Sequence, residues 1–564
     1  MARLALTRVL ERSMALGLAH TRSTTATFSD RQFWRWVRAT PALLFLFFLG
    51  AYGLTSAGRL DANDGFVVAR TAQAIVFEHK LSVPPGTLGA VVGAGGRSYS
   101  KYGIAQSLVE IPFTIVGKGL THVSGLELMA WSISWTNTLI TALGCVLFYL
   151  LVCALGAGER RAIALTLLYG LCTLAWPYAK TDFNEPLQAT TLLAAAYALW
   201  RARGEQPRWL LLGGTALAAA VLTKAVLLAV AAPVFAIYAA LTLLDPNGHP
   251  FAALSTRLRE RQWWLALLRQ QVLLWAPIVG ASLISLLLNV ARFGSPFDFG
   301  YGRTPEDKPF SGFIFKGLYG LLLSPNASLL FYATPVVLGI IGFRRFTRRQ
   351  PAEAVLISLL AASLLIFYGG YLYWPGLSAF GPRYLVPLVP FLLLPAIDAF
   401  PNVLSQPRAA LVPLSILGVV AFLGLFEQVL GVVVSFRLYT ALTCTQFPCR
   451  GTLNPTQAEG LYHLWLLGPA LAYNFLGHVP SIQLGAYPFG AAPPGRPGWQ
   501  HLMVDAMRYF WFNALPHLVI WMIVDFVFVG IPTLACFIAL VRRMRAASVT
   551  CHSSRDLAAT AAGG

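Results

Sequence analysis

Two carboxylates, Asp61 and Asp64, stand directly after the first long apolar run of this chain, in Asp61-Ala62-Asn63-Asp64-Gly65. A second acidic pair, Asp182 and Glu185, lies in Tyr178-Ala179-Lys180-Thr181-Asp182-Phe183-Asn184-Glu185-Pro186, at the end of a later apolar run. Ionisable groups at the rim of an apolar bundle are costly and are usually retained for function. One carboxylate can take a proton from a hydroxyl group. A second can orient the molecule that carries the hydroxyl, or hold a divalent metal ion beside the first. A lone arginine, Arg383 in Phe380-Gly381-Pro382-Arg383-Tyr384, enters another apolar run and needs an anionic partner there. Its planar guanidinium matches a phosphate bidentately. Lys224, between two apolar runs, is a further cation for a phosphate, or else a side chain that snorkels to the interface. Plainer readings stay open. Asp61 or Asn63 could cap the helix that follows, and Lys180 could pair with Asp182 in a solvated turn.

The elements that must position these groups are membrane helices. The chain of 564 residues is 57% hydrophobic and 12% charged, with a mean hydropathy of +0.63. That excludes an ordinary soluble protein. The net charge of +19 is not a nucleic-acid footprint. The arginines gather in short clusters between apolar runs, at Arg160-Arg161, at Arg257/Arg259/Arg261, at Arg344-Arg345/Arg348-Arg349 and at Arg542-Arg543/Arg545. This is the positive-inside pattern of a polytopic membrane protein. A helical span takes about 20 apolar residues, which gives about twelve spans, near 39–57, 128–153, 162–178, 186–200, 209–223, 225–244, 265–290, 328–343, 353–373, 384–400, 409–436 and 517–541. The arginine clusters then fall inside, with tails at 1–38 and 542–564 in the cytoplasm and loops 58–127, 291–327 and 437–516 outside. Residues 66–80 and 104–120 are expected as helices lying in the outer interface, the second because counting it as a span would put Arg160-Arg161 outside.

The motifs resemble those of bacterial GT-C-fold integral membrane glycosyltransferases, the superfamily of protein O-mannosyltransferases, aminoarabinose transferase and arabinofuranosyltransferases. The likeness covers residues 39–400 and fades in 401–541. It is carried by Asn63-Asp64-Gly65 after the first span and by Tyr99-Ser100-Lys101-Tyr102-Gly103. Also similar are the Asp182–Glu185 segment, Leu288-Asn289-Val290-Ala291-Arg292-Phe293-Gly294-Ser295-Pro296, Gly317-Leu318-Tyr319-Gly320, and Tyr373-Trp374-Pro375-Gly376 with Gly381-Pro382-Arg383-Tyr384. The resemblance implies Asp64 as catalytic base, with Asp61 the weaker candidate. It implies Glu185, then Asp182, as the second acidic motif, and Lys101 with Arg383, and Lys224 after them, at a donor phosphate. Tyr319, Trp374 and Tyr384 would line a groove for a lipid chain. The chain departs from the pattern at Gly65, where many members carry a second acid. It departs again at Tyr102-Gly103 in place of prolines, and at Pro375 in place of glycine.

The expectation is an all-α polytopic membrane enzyme of the plasma (inner) membrane. It would be an inverting glycosyltransferase that moves a sugar from a polyprenyl-phosphate donor to a hydroxyl of a lipid, glycan or protein acceptor on the outer face. Transfer of a whole oligosaccharide from a lipid diphosphate is the rival within the class. A transporter or flippase is the rival outside it, although such a protein should carry its ionisable groups near mid-membrane and often shows inverted repeats. A divalent metal stays open as a cofactor. In the outer loop 437–516, Cys444 and Cys449 could close a small disulfide in an oxidising compartment. No role is assigned to Glu427 or Asp525 within late spans.

Overall fold

The computed structural model describes residues 30–203, 207–244, 257–302, 310, 313–374, 376, 378–399, 411–443, 455–476, 488, 510–514 and 517–561. Among these, the chain is helical apart from one antiparallel pair of short strands. The first helix, α1 (Asp30–Leu54), leads through a tight loop to α2 (Asn63–Glu78), then to strands β1 (Ala90–Val92) and β2 (Ser98–Ser100) and to α3 (Ile104–Ser124). Next come α4 (Met129–Ala154), α5 (Glu159–Cys172), α6 (Ala175–Lys180), α7 (Glu185–Arg201) and α8 (Pro207–Thr223). The middle of the chain forms α9 (Leu227–Val230), α10 (Ala232–Leu244), α11 (Arg261–Phe293), α12 (Ile314–Leu322) and α13 (Leu329–Tyr332). It continues through α14 (Val336–Arg349), α15 (Pro351–Gly369), α16 (Val389–Leu393), α17 (Leu411–Val433), α18 (Phe436–Thr443), α19 (Glu459–Leu476), α20 (Leu518–Asp525) and α21 (Ile531–Ala561).

Six segments are long and apolar enough to cross a membrane: Met129–Ala154, Leu227–Leu244, Arg261–Phe293, Pro351–Gly369, Leu411–Val433 and Val519–Ala546. Thr40–Leu54 and Pro207–Thr223 are shorter apolar helices. The protein is therefore a multi-pass membrane protein, but the expected twelve spans do not all appear as continuous helices. Proline and local unwinding explain much of the difference. The run at 162–178 is split between α5 and α6 at Thr173, which is extended. The run at 384–400 becomes two 3-10 turns flanking α16, because Pro387, Pro390 and Pro395 each remove a backbone donor. The two helices expected at 66–80 and 104–120 are present as α2 and α3. Helix α2 begins three residues earlier than its hydrophobic pattern suggests.

Helices α1, α4, α5, α7, α8, α14 and α15 share one core, built around side chains such as Phe48, Tyr149, Leu192, Leu217, Leu338 and Leu360. Val420 of α17 and Leu540 of α21 belong to the same core. Arginine bonds tie neighbouring elements together at one end of this bundle. Arg543 donates to Thr40, Arg161 donates to the Ile397 carbonyl, Arg349 pairs with Asp398 at 3.2 Å, and Arg203 pairs with Glu353. The acidic motifs sit at the opposite ends of α1, α7 and α8. Helix α19, which sequence periodicity did not reveal within the loop 437–516, packs with α18 and residues 510–512 into a second core around Tyr462, Leu466 and Trp511. Cys444 and Cys449 lie outside the described residues.

Candidate functional site

The loop from α1 to α2 is held in place by Asp182. The Asp182 carboxylate accepts the backbone N–H of Asp61 at 3.2 Å and that of Ala62 at 3.1 Å. It therefore serves, from the turn before α7, part of the capping role that no side chain of the loop itself performs. Gly65 makes this approach possible: a Cβ there would run into the Asp182 carboxylate. Glycine at residue 65, where the resembled motif often carries an acid, thus has a steric cause in this chain. Burial, with the Asp61 charge adding to it, pushes the Asp182 carboxyl up to about 7 against the pull of the backbone donors. Asp61 faces away from this junction. It pairs with Arg59 at 3.0 Å and Arg437 at 3.4 Å, with its side chain 2% exposed.

Asp64, in the first turn of α2, is the more open of the two acids, with its side chain 22% exposed. Its two oxygens have different partners. Tyr102 donates its hydroxyl to Oδ1 at 2.7 Å, and Arg383 donates Nη2 to Oδ2 at 2.6 Å. Arg383 also donates Nε to Glu185 Oε1 at 2.9 Å, and its guanidinium lies 3.8 Å from the Phe183 ring centroid. Glu185 opens α7, where a carboxylate is favoured by the exposed N–H groups of the first turn. It is fully buried, and among the described residues its Oε2 has no hydrogen-bond partner. Lys224, just past the end of α8, places Nζ 3.7 Å from Glu185 Oε1 and 4.4 Å from the Tyr384 ring centroid. Tyr384 in turn stacks on Tyr368 of α15 at 4.6 Å.

Two carboxylates and two cations thus form one connected, charge-balanced cluster, and each biases the others. Burial alone would raise the Asp64 carboxyl. The Arg383 guanidinium, the Tyr102 hydroxyl and the Lys101 charge together hold it below its ordinary value. Burial works against the Arg383 charge, but Glu185 and Asp64 more than offset it and keep the guanidinium firmly protonated. Burial pulls the Lys224 ammonium down to about 8, with the Glu185 charge opposing.

Four side chains and one glycine that the sequence did not assign to the site hold it in shape. Asn137 of α4 donates Nδ2 to the carbonyls of Thr181 at 2.7 Å and Phe183 at 2.6 Å, which fixes the turn carrying Asp182 and Glu185. A lone buried asparagine in an apolar helix is the signal that could have found it. Arg292, at the end of α11, donates Nη1 to the carbonyls of Ser100 at 2.9 Å and Tyr102 at 3.0 Å. The motif around Asn289 and Arg292 is therefore a clamp on the Lys101–Tyr102 loop. Glu459 of α19 accepts the Gly381 N–H at 3.0 Å and so holds the turn before Arg383. Gly376, at φ 87°, lets the chain pass Arg383, where a Cβ would come within 2.6 Å of the arginine Cβ. Tyr102 was visible in the sequence only as a departure from the resembled motif beside Lys101.

The other expected site residues are placed as follows. The Lys101 ammonium lies 5.2 Å from the Tyr301 ring centroid and reaches Asp64 through its charge. Of the three aromatic residues expected in a groove, Tyr384 meets the cluster. Tyr319 is half-exposed on α12, and Trp374 is buried, closing on Gly320. Lys180 does not pair with Asp182; it donates to the Val432 carbonyl at 2.9 Å. Asp525 accepts from the Trp511 indole at 3.2 Å. Among the described residues, no three Asp, Glu, His or Cys side chains gather as a metal site.

No family model matches the sequence, and no curated protein matches it. Among solved structures, the chain is similar to ArnT from Cupriavidus metallidurans in the apo state, at 13% identity over 89% of this chain and 78% of that one, with a TM-score of 0.45. It is also similar to the same protein bound to undecaprenyl phosphate, at 13% identity, 90% and 78% coverage and a TM-score of 0.44. A third likeness is to the Archaeoglobus fulgidus oligosaccharyltransferase in the apo form, at 13% identity, 86% and 65% coverage and a TM-score of 0.45.

Proposed function

We propose that this chain is an inverting glycosyltransferase that takes a sugar from a polyprenyl-phosphate donor at the outer face of the membrane. The observation that carries this reading is the convergence of a partly open carboxylate, Asp64, with Arg383 at the bundle end opposite the arginine clusters. The motif resemblance supports it. The acceptor hydroxyl oxygen attacks the anomeric carbon as its proton passes to Asp64. The bond from that carbon to the phosphate oxygen breaks, and the electron pair leaves with the polyprenyl phosphate. Arg383, Lys101 and Lys224 stabilise the departing charge, as fixed cations in a water-poor site can. The phosphate competes with Asp64 for Arg383. Its arrival frees the carboxylate from the partner that suppresses its basicity, so donor binding prepares the base. Glu185 keeps Arg383 anchored through Nε during the exchange.

The test uses the full chain in nanodiscs with a panel of polyprenyl-phosphate-linked sugars and an envelope lipid extract as acceptor, following release of free polyprenyl phosphate. Asp64→Asn should stay folded and lose turnover by roughly 10²–10⁴, the usual range for loss of a general base. Full activity in Asp64→Asn would overturn the assignment, and loss in Asp61→Asn instead would move the role to Asp61.

A further inference from the structure

We infer that Tyr102 is a positioning residue for the base: its hydroxyl keeps the Asp64 carboxylate aimed while Arg383 turns to the donor phosphate. The inference rests on the proposed reaction and concerns a residue at which this chain departs from its resembled family. Asp64 is held by one donor on each oxygen, Tyr102 at 2.7 Å on Oδ1 and Arg383 at 2.6 Å on Oδ2. Only the second holder is called away by a phosphate. Once Arg383 is shared, the carboxylate plane depends on the tyrosine.

Tyr102 is built for that task. Its backbone is fixed on both sides: its N–H donates to Ser100 Oγ at 3.2 Å, and its carbonyl accepts from Arg292 at 3.0 Å. Arg292 is in turn tied to Asn289 Oδ1 at 3.0 Å. The hydroxyl therefore sits on a loop pinned to the end of α11, independent of the segment that carries Arg383. Burial and the Asp64 charge hold the phenol protonated far above working pH, so it stays a donor. A neutral donor also suits a base better than a cation does. It fixes direction while withholding less basicity, and a general base works best with its value near the operating pH.

The experiment compares Tyr102→Phe with the wild-type chain in the nanodisc assay, with Asp64→Asn alongside. The measurements are kcat, KM for the polyprenyl-phosphate sugar that supports turnover, and the pH profile of kcat. Loss of aim should lower kcat by roughly 10- to 100-fold and leave the donor KM unchanged. Loss of the bond should move the acid limb upward by about one pH unit, because that bond favours the ionised carboxylate. Infrared titration of the carboxyl band that Asp64→Asn removes should show the same upward movement without substrate. Two results overturn the inference while leaving the reaction intact, both with Asp64→Asn inactive. One is an unchanged kcat in Tyr102→Phe; the other is a reduced kcat with unmoved acid limb and infrared midpoint, which marks a merely structural tyrosine. An active Asp64→Asn overturns the reaction and the inference with it.

Discussion

Arg383 is the residue on which the cluster turns, because its guanidinium joins Asp64 to Glu185. Its sequence context gave it no acidic neighbour and suggested a phosphate as its partner. In the structure the fold supplies two carboxylates instead, from positions 319 and 198 residues away. A phosphate must therefore compete with Asp64. This has a consequence for binding that is opposite in sign for the two members of the pair. Arg383→Lys, which loses the planar fork, should weaken undecaprenyl phosphate binding in nanodiscs by roughly tenfold. Lys101→Ala should weaken it as well. Asp64→Asn should bind the same lipid as tightly as the wild type or about threefold more tightly, since the competitor's charge is gone. Weaker binding in Asp64→Asn, or unaltered binding in both cation variants, would remove the phosphate from this site. The candidates themselves were legible because charged residues are rare in so apolar a chain. Their pairing was not, since nothing in the spacing of residues 64, 185 and 383 says that three separate helix ends meet.

At the scale of elements, the site depends on how α2 is tethered to the turn before α7. Gly65 and Asp182 make that junction, and each carries a test. Gly65→Ala should cost about 1–3 kcal/mol by forcing a methyl group into the Asp182 carboxylate, seen as a lower melting temperature in detergent. Asp182 gives a pH signature. Its carboxyl is raised on folding, from an ordinary value near 4 to about 7. A group raised in this way contributes stability below its unfolded value, and the contribution is lost as pH rises through the folded one. Melting temperature should thus fall between about pH 4 and 7 in the wild type, and less steeply in Asp182→Asn, whose amide oxygen still accepts the Ala62 N–H. Equal slopes would show that Asp182 ionises as an ordinary exposed acid. Helix α2 was readable because its apolar residues recur about once per turn with charges off that face, and α3 because a span there would put Arg160-Arg161 outside. Helix α19 was not. It lies in a proline- and glycine-rich loop, carries Pro469 within it, and draws its burial from distant partners such as Tyr439 and Trp511. The prolines of 384–400 were plain in the sequence, but hydropathy cannot say that they unwind a span into 3-10 turns.

Across the whole molecule, the two ends of the bundle differ in chemistry, and that difference sets the orientation expected in a membrane. Arginines from α5, α14 and α21 and from the turn after α7 bind neighbouring elements at one end, through Asp398, Glu353, Thr40 and the carbonyls of Leu155 and Ile397. The carboxylates and their cations occupy the other. The orientation proposed from the positive-inside rule puts the arginine end in the cytoplasm and Asp64 outside. The placement of α3 is the pivot. Read as a span, it would reverse the side of every helix after it and leave Arg160-Arg161 outside. In the structure α3 packs on both α2 and α4. Single cysteines in a background without native ones test this directly. Leu88→Cys and Phe310→Cys, at exposed positions near the carboxylate end, should react with an impermeant maleimide in intact cells. Gly158→Cys, exposed beside Arg160, and Glu205→Cys should react only after permeabilisation. Labelling of Glu205→Cys from outside in intact cells would make α3 a true span, turn the later helices over, and put Glu185 and Arg383 on the opposite side of the membrane from Asp64.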